Sequence, residues 1–168
     1  LVAALGKKTY VVLALVVITR LPFLWTGYGA DHDAWLVAES SSRLWNTGIY
    51  DESRLPGYPL HEILSAPLVG TGGAPLSNAA TLAATLAAIL VWSAVCRRAV
   101  RHERIAVIAF AFAPVVWQHS AVTLDYIWSL LCVVASLHAV LRQRVLLAGV
   151  LFGCAVGFRL ANVVVGLP

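Results

Sequence analysis

Hydrophobic positions fall into five runs, roughly Thr9–Trp25, Ser77–Cys96, Ile105–Trp117, Ala121–Leu141 and Val145–Leu167. A helix crossing a bilayer needs about 20 mainly apolar residues, so each run predicts a membrane span. The third is short, covering only about 20 Å at 1.5 Å per residue. It must tilt or borrow flanking residues, and Pro114 near its end predicts a kink. The first run is read as a span rather than a cleaved signal peptide, because no small-residue cleavage site follows it.

The stretch from about Thr26 to Leu76 is the one sizeable polar segment, too long for a simple connector. Asp31 or Asp33 predicts the N-cap of a helix reaching about Asn46, with Thr47-Gly48 as its stop. Trp35, Ala38, Ser42 and Trp45 recur at helical spacing, and the tryptophans predict that this helix lies at a membrane surface. Ile49 to Pro59 reads as extended, since two prolines and a glycine oppose a helix. A second short helix is predicted from Pro59 towards Pro67, followed by a flexible Gly70–Pro75 lead into the second span.

Composition agrees with this layout. Of 168 residues, 60% are hydrophobic and 12% charged, with a mean hydropathy of +0.83. That balance excludes a disordered chain and a disulfide framework, and argues against a water-soluble globule. Lys7, Lys8, Arg97, Arg98, Arg101, Arg104, Arg142 and Arg144 all fall on one side if five spans alternate, which sets the N-terminus in the cytoplasm. Seven of the eight acids fall on the other side. The net charge of +4 is therefore read as basic loops facing one leaflet and not as a nucleic-acid surface. Cys96, Cys132 and Cys154 sit in apolar runs and read as small core residues. The chain starts at Leu1 and contains no Met, and both ends are expected to be cut.

The polar residues of the outer side are the candidates for chemistry. Asp31 and Asp33 stand just beyond the first span, where a carboxylate serves as general base, as a cation ligand or simply as a helix cap. Asp125 lies about one turn inside the fourth run, and an ionisable group there faces a cavity or a partner, or caps its helix at the interface. Arg159, roughly 12 Å inside the fifth run, snorkels, pairs with Asp125 or grips an anion. Arg54, with Tyr58, His61 and Glu62 downstream, is either a phosphate-binding cluster or a rim ion pair. His119 is assigned an interfacial role. HExxH, P-loop and GxSxG motifs are absent.

The order of these features resembles the N-terminal part of GT-C glycosyltransferases, which use polyprenyl-phosphate sugars and include protein O-mannosyltransferases and aminoarabinose transferases. The likeness rests on Asp31-His32-Asp33-Ala34-Trp35, Thr47-Gly48-Ile49-Tyr50 and Ser53 to Glu62. Thr123-Leu124-Asp125-Tyr126 and Gly157-Phe158-Arg159 add to it. The resemblance implies an all-α, polytopic protein of the plasma (inner) membrane with its active loop outside the cytoplasm. It implies transfer of a sugar from a polyprenyl-phosphate donor to a protein, lipid or glycan acceptor, with an outer-loop aspartate as base. Asp33 is the first choice and Asp31 the second, since His32 separates the acids where many relatives have an adjacent pair. Arg54 and Arg159 would face the phosphate, and Asp125 would line the same cavity. Members using lipid diphosphate donors need a divalent metal, whereas those using monophosphates do not. Two other readings stand beside this one: a transporter or channel fragment with Asp125 and Arg159 on an intramembrane polar path, and a non-catalytic membrane scaffold.

Overall fold

A computed structural model describes residues 7–166, and these form helices without strands. Seven α-helices follow in order: α1 (Lys7–Arg20), α2 (His32–Thr47), α3 (Pro59–Ala99), α4 (Glu103–Ala111), α5 (Pro114–His119), α6 (Asp125–Leu141) and α7 (Val145–Phe158). Short 3-10 segments extend α1 over Leu21–Trp25 and follow α7 over Leu160–Gly166.

The α2 helix obeys its local signals. Asp31 is the N-cap, its side chain accepting the Asp33 amide at 3.0 Å, and Gly48 closes the helix at φ 71°, where a side chain would be strained. Ala34, Val37, Ala38 and Ser41 form the buried face, at the i, i+3, i+4, i+7 spacing of one helix side. That face packs on α3.

The 41-residue α3 is the central element, touching α1, α2, α4, α6 and α7. Its buried side is small and polar: Ser77, Asn78, Thr81, Ala84, Thr85, Ala88 and Ser93. Small side chains let neighbouring backbones approach closely, and the hydroxyls bond to backbone carbonyls or to one another. Thr85, for example, donates to Thr81 O at 3.0 Å, and Thr123 to Ser77 Oγ at 2.9 Å. An apolar cluster of Val16, Leu82, Ile89, Cys96, Val107 and Ala111 joins α3 to α1 and α4.

Four predicted boundaries change. The helix from Pro59 does not stop near Pro67, and Gly70–Pro75 is no flexible lead: α3 runs through it with one break at Gly73 (φ 60°, ψ −151°). Only glycine occupies that region readily, and Pro75 removes a nearby helical donor. The third run divides into α4 and α5 ahead of Pro114, because a proline disfavours helical backbone in the residue before it. Asp125 is the first residue of α6 rather than one turn inside. Thr123 bonds to Ser77 and Asn78 of α3, and so holds the preceding segment out of the helix. Lastly, α7 ends at Phe158, and Arg159 stands in an extended break (φ −154°, ψ 107°) instead of inside a continuous helix. Leu167, the predicted end of that run, lies outside the described residues.

Candidate functional site

Four candidate residues meet where α2, α3, α6 and α7 come together. Arg54, in the loop before α3, places Nη2 at 2.7 Å from Asp125 Oδ1 and Nη1 at 3.2 Å from Asp33 Oδ2. Arg159 places Nη1 at 3.1 Å from the other Asp125 oxygen. The result is a linear chain, Asp33–Arg54–Asp125–Arg159, of two acids and two bases. Asp125 is enclosed, with its side chain 1% exposed, whereas Asp33 at 41% is open to solvent. Burial alone would lower the Arg54 guanidinium, but the charges of Asp125 and Asp33 outweigh it and raise its pKa.

Aromatic rings support both bases. The Arg54 guanidinium lies 4.6 Å from the centre of the Tyr58 ring, and that of Arg159 lies 3.7 Å from Tyr126. Tyr126 also stacks on His119 at 4.4 Å. Such contacts strengthen as water is excluded. They hold the planar groups in orientation without consuming N–H donors.

Asp31 and Asp33 have separate positions. One oxygen of Asp31 is occupied as the α2 cap, and Asp31 lines a cavity whose wall does not include Arg54. Asp33 is the acid that reaches Arg54.

Glu62 and His61 lie beneath the cluster. Glu62 is fully buried. Its Oε2 accepts from Tyr50 Oη at 2.6 Å, and its Oε1 accepts from the Ser53 amide at 3.2 Å and from Ser53 Oγ. Both oxygens are thus spent on pinning the loop before α3, which turns at Arg54–Gly57 instead of running extended, and this sets where Arg54 sits. Burial first, and then the Glu62 hydrogen bond and charge, raise the Tyr50 phenol well above its ordinary pKa, so it remains a donor. His61 is buried against Trp128 and Phe158, with Nε2 3.4 Å from Ser65 Oγ and no partner on Nδ1 among the described residues.

Two cavities flank His119. One, of about 520 Å³, is bounded by Arg20, Phe23, Asp31, Trp117 and His119. The other, of about 330 Å³, runs between α5, α6 and the last 3-10 segment, with Val116, Leu130 and Val133 in its wall and Arg159 and Asn162 at its polar part.

Arg20 carried no signal in the sequence beyond being a lone base at the end of an apolar run. It is buried and makes no ion pair among the described residues. Nη2 donates to Ala111 O at 2.7 Å, Nη1 to Thr19 Oγ1 at 2.6 Å and Nε to Ser120 Oγ at 3.3 Å. Bonding a carbonyl at the end of α4 places the cation at that helix's negative pole, which compensates its burial.

No three His, Cys, Asp or Glu side chains come together as cation ligands among the described residues. Asp33 and Asp125 each face a guanidinium instead, a donor set that does not fit a divalent metal. Comparisons with protein families, curated proteins and solved structures found no match to this chain.

Proposed function

We propose that this chain belongs to a polytopic membrane glycosyltransferase of the GT-C type, acting on a polyprenyl-phosphate sugar at the extracytoplasmic face. Support for a membrane setting is the inverted polarity of the helices. Ser77, Asn78, Thr81, Thr85 and Ser93 are buried, while Val11, Ile18, Val145, Leu146 and Val150 are exposed. That pattern suits a lipid solvent, where helices associate through small and polar residues. The α3 helix is long and apolar enough to cross a membrane, and Thr9–Trp25, Asp125–Leu141 and Val145–Phe158 are shorter apolar helices.

The observation that carries the chemistry is the exposed Asp33 carboxylate beside the Arg54 guanidinium, which shares the buried Asp125 with Arg159. In the proposed reaction, an acceptor hydroxyl loses its proton to Asp33 as its oxygen attacks the anomeric carbon. The carbon–oxygen bond to the phosphate breaks, and the electron pair leaves on the polyprenyl phosphate. Arg54 and Arg159 face the charge that develops there, the electrostatic task guanidinium performs best. Asp125 keeps both in place. Attack opposite to the leaving group inverts the anomeric centre.

The test is Asp33→Asn in the full-length protein, assayed for transfer from a polyprenyl-phosphate sugar in proteoliposomes. Loss of a general base lowers the rate by about a hundredfold or more. An unchanged rate would remove Asp33 from this role.

A further inference from the structure

We propose that the Asp33–Arg54 ion pair is a latch opened by the donor phosphate, so that Arg54 follows the negative charge from base to leaving group while pivoting on Asp125. This rests on the glycosyltransferase reading and adds an order to it: phosphate binds first, and only then is Asp33 free to take a proton.

The two edges of the Arg54 guanidinium are held unequally. Nη2 makes a full hydrogen bond to Asp125 at 2.7 Å. Nη1 lies 3.2 Å from Asp33 Oδ2 but makes no hydrogen bond among the described residues, and it is buried from solvent. One edge is therefore anchored, and the other is a buried donor in merely electrostatic contact with a half-exposed acid. A buried N–H without a hydrogen bond favours any acceptor that meets it squarely. A phosphate oxygen is such an acceptor, and Arg binds it better than a misaligned carboxylate does.

Charge balance supports the same motion. The resting chain of two acids and two bases is neutral. A polyprenyl phosphosugar is a phosphodiester with one negative charge, and its product is a phosphomonoester with up to two. During transfer Asp33 gains a proton and loses its charge, while the phosphate oxygen receives the bond pair and gains one. A single guanidinium reaching both sites stays paired throughout, and Asp125 and the Tyr58 ring keep it in place as it moves.

Competition for Arg54 gives a readout that needs no sugar transfer. Farnesyl monophosphate would be titrated against the full-length protein in nanodiscs, as wild type, Asp33→Asn, Arg54→Gln, the double variant and Asp31→Asn. Removing the competing acid in Asp33→Asn should tighten binding about fivefold, the size expected of a half-exposed ion pair. Arg54→Gln should weaken it, and adding Asp33→Asn to that background should change nothing. Asp31→Asn keeps a good helix cap and removes a nearby charge that does not touch Arg54, so it should not tighten binding. Unchanged or weaker binding in Asp33→Asn, or equal tightening without Arg54, would overturn the latch and leave the functional reading standing. Absence of binding by the wild type would instead overturn the functional reading.

Discussion

Arg54 donates to Asp125 at 2.7 Å, across 71 positions of sequence. The contact ties the loop ahead of α3 to the first residue of α6, and through the second Asp125 oxygen it also reaches the break after α7. Three segments thus share one buried carboxylate, which makes Asp125 the structural centre of the candidate site.

Asp125→Asn should therefore cost more than its small change in shape implies. The amide keeps an oxygen towards one guanidinium and turns an NH2 donor towards the other, and both lose their buried counter-charge. Because Arg54 and Arg159 are themselves 16% and 27% exposed, water recovers part of the loss. The expected destabilisation is about 2 kcal/mol, below the range for a fully buried pair. Denaturant unfolding in detergent micelles measures it, and a loss under about 0.5 kcal/mol, the size of an ordinary surface substitution, contradicts this role.

Glu62→Gln tests the clasp beneath Arg54. Glutamine presents one oxygen and one NH2 where Glu62 presents two acceptors, so either Tyr50 Oη or the Ser53 pair meets a donor. A loss of about 1–3 kcal/mol is expected, with faster proteolysis between Ile49 and Gly57. Equal cleavage in both proteins would show that this loop is held by something else.

Gly70→Ala tests how α2 seats on α3. A Cβ at Gly70 would come within 2.2 Å of the Trp45 indole, so the ring must leave or the helices must separate. Overpacking of this kind costs about 1–3 kcal/mol. Most of that cost should vanish in a Trp45→Ala background, and additive losses in the double variant would argue against the contact.

Sidedness is testable with single cysteines in a chain whose Cys96, Cys132 and Cys154 are replaced. Glu52→Cys should react with a membrane-impermeant maleimide in intact cells, and Arg101→Cys only after permeabilisation. Labelling of both, or the reverse order, would contradict the proposed topology.

Local signals sufficed for some elements and failed for others. The α2 helix was legible because its caps, Asp31 and Gly48, act within a few residues of themselves. The Gly70–Pro75 stretch misled because its glycines and proline oppose a helix locally, whereas packing on α2, with Trp45 laid over Gly70, favours continuing it. Arg20 was invisible as a candidate because its partners Ala111 and Ser120 are 91 and 100 positions away. Glu62 read as a possible ligand-binding acid until the fold supplied Tyr50 and Ser53 as its donors.

The sequence by itself determined the helical character, the unequal sorting of acids and bases along the chain, and the short list of polar residues on which chemistry can rest. These follow from composition and from interactions within a turn or two of helix. Only the tertiary structure decided which acid meets a base. Asp31 and Asp33 are chemically identical and two positions apart, yet the first bonds the start of its own helix while the second meets Arg54. Spacing cannot separate them, because the difference lies in which partner the packing of α2, α3 and α6 delivers to each carboxylate.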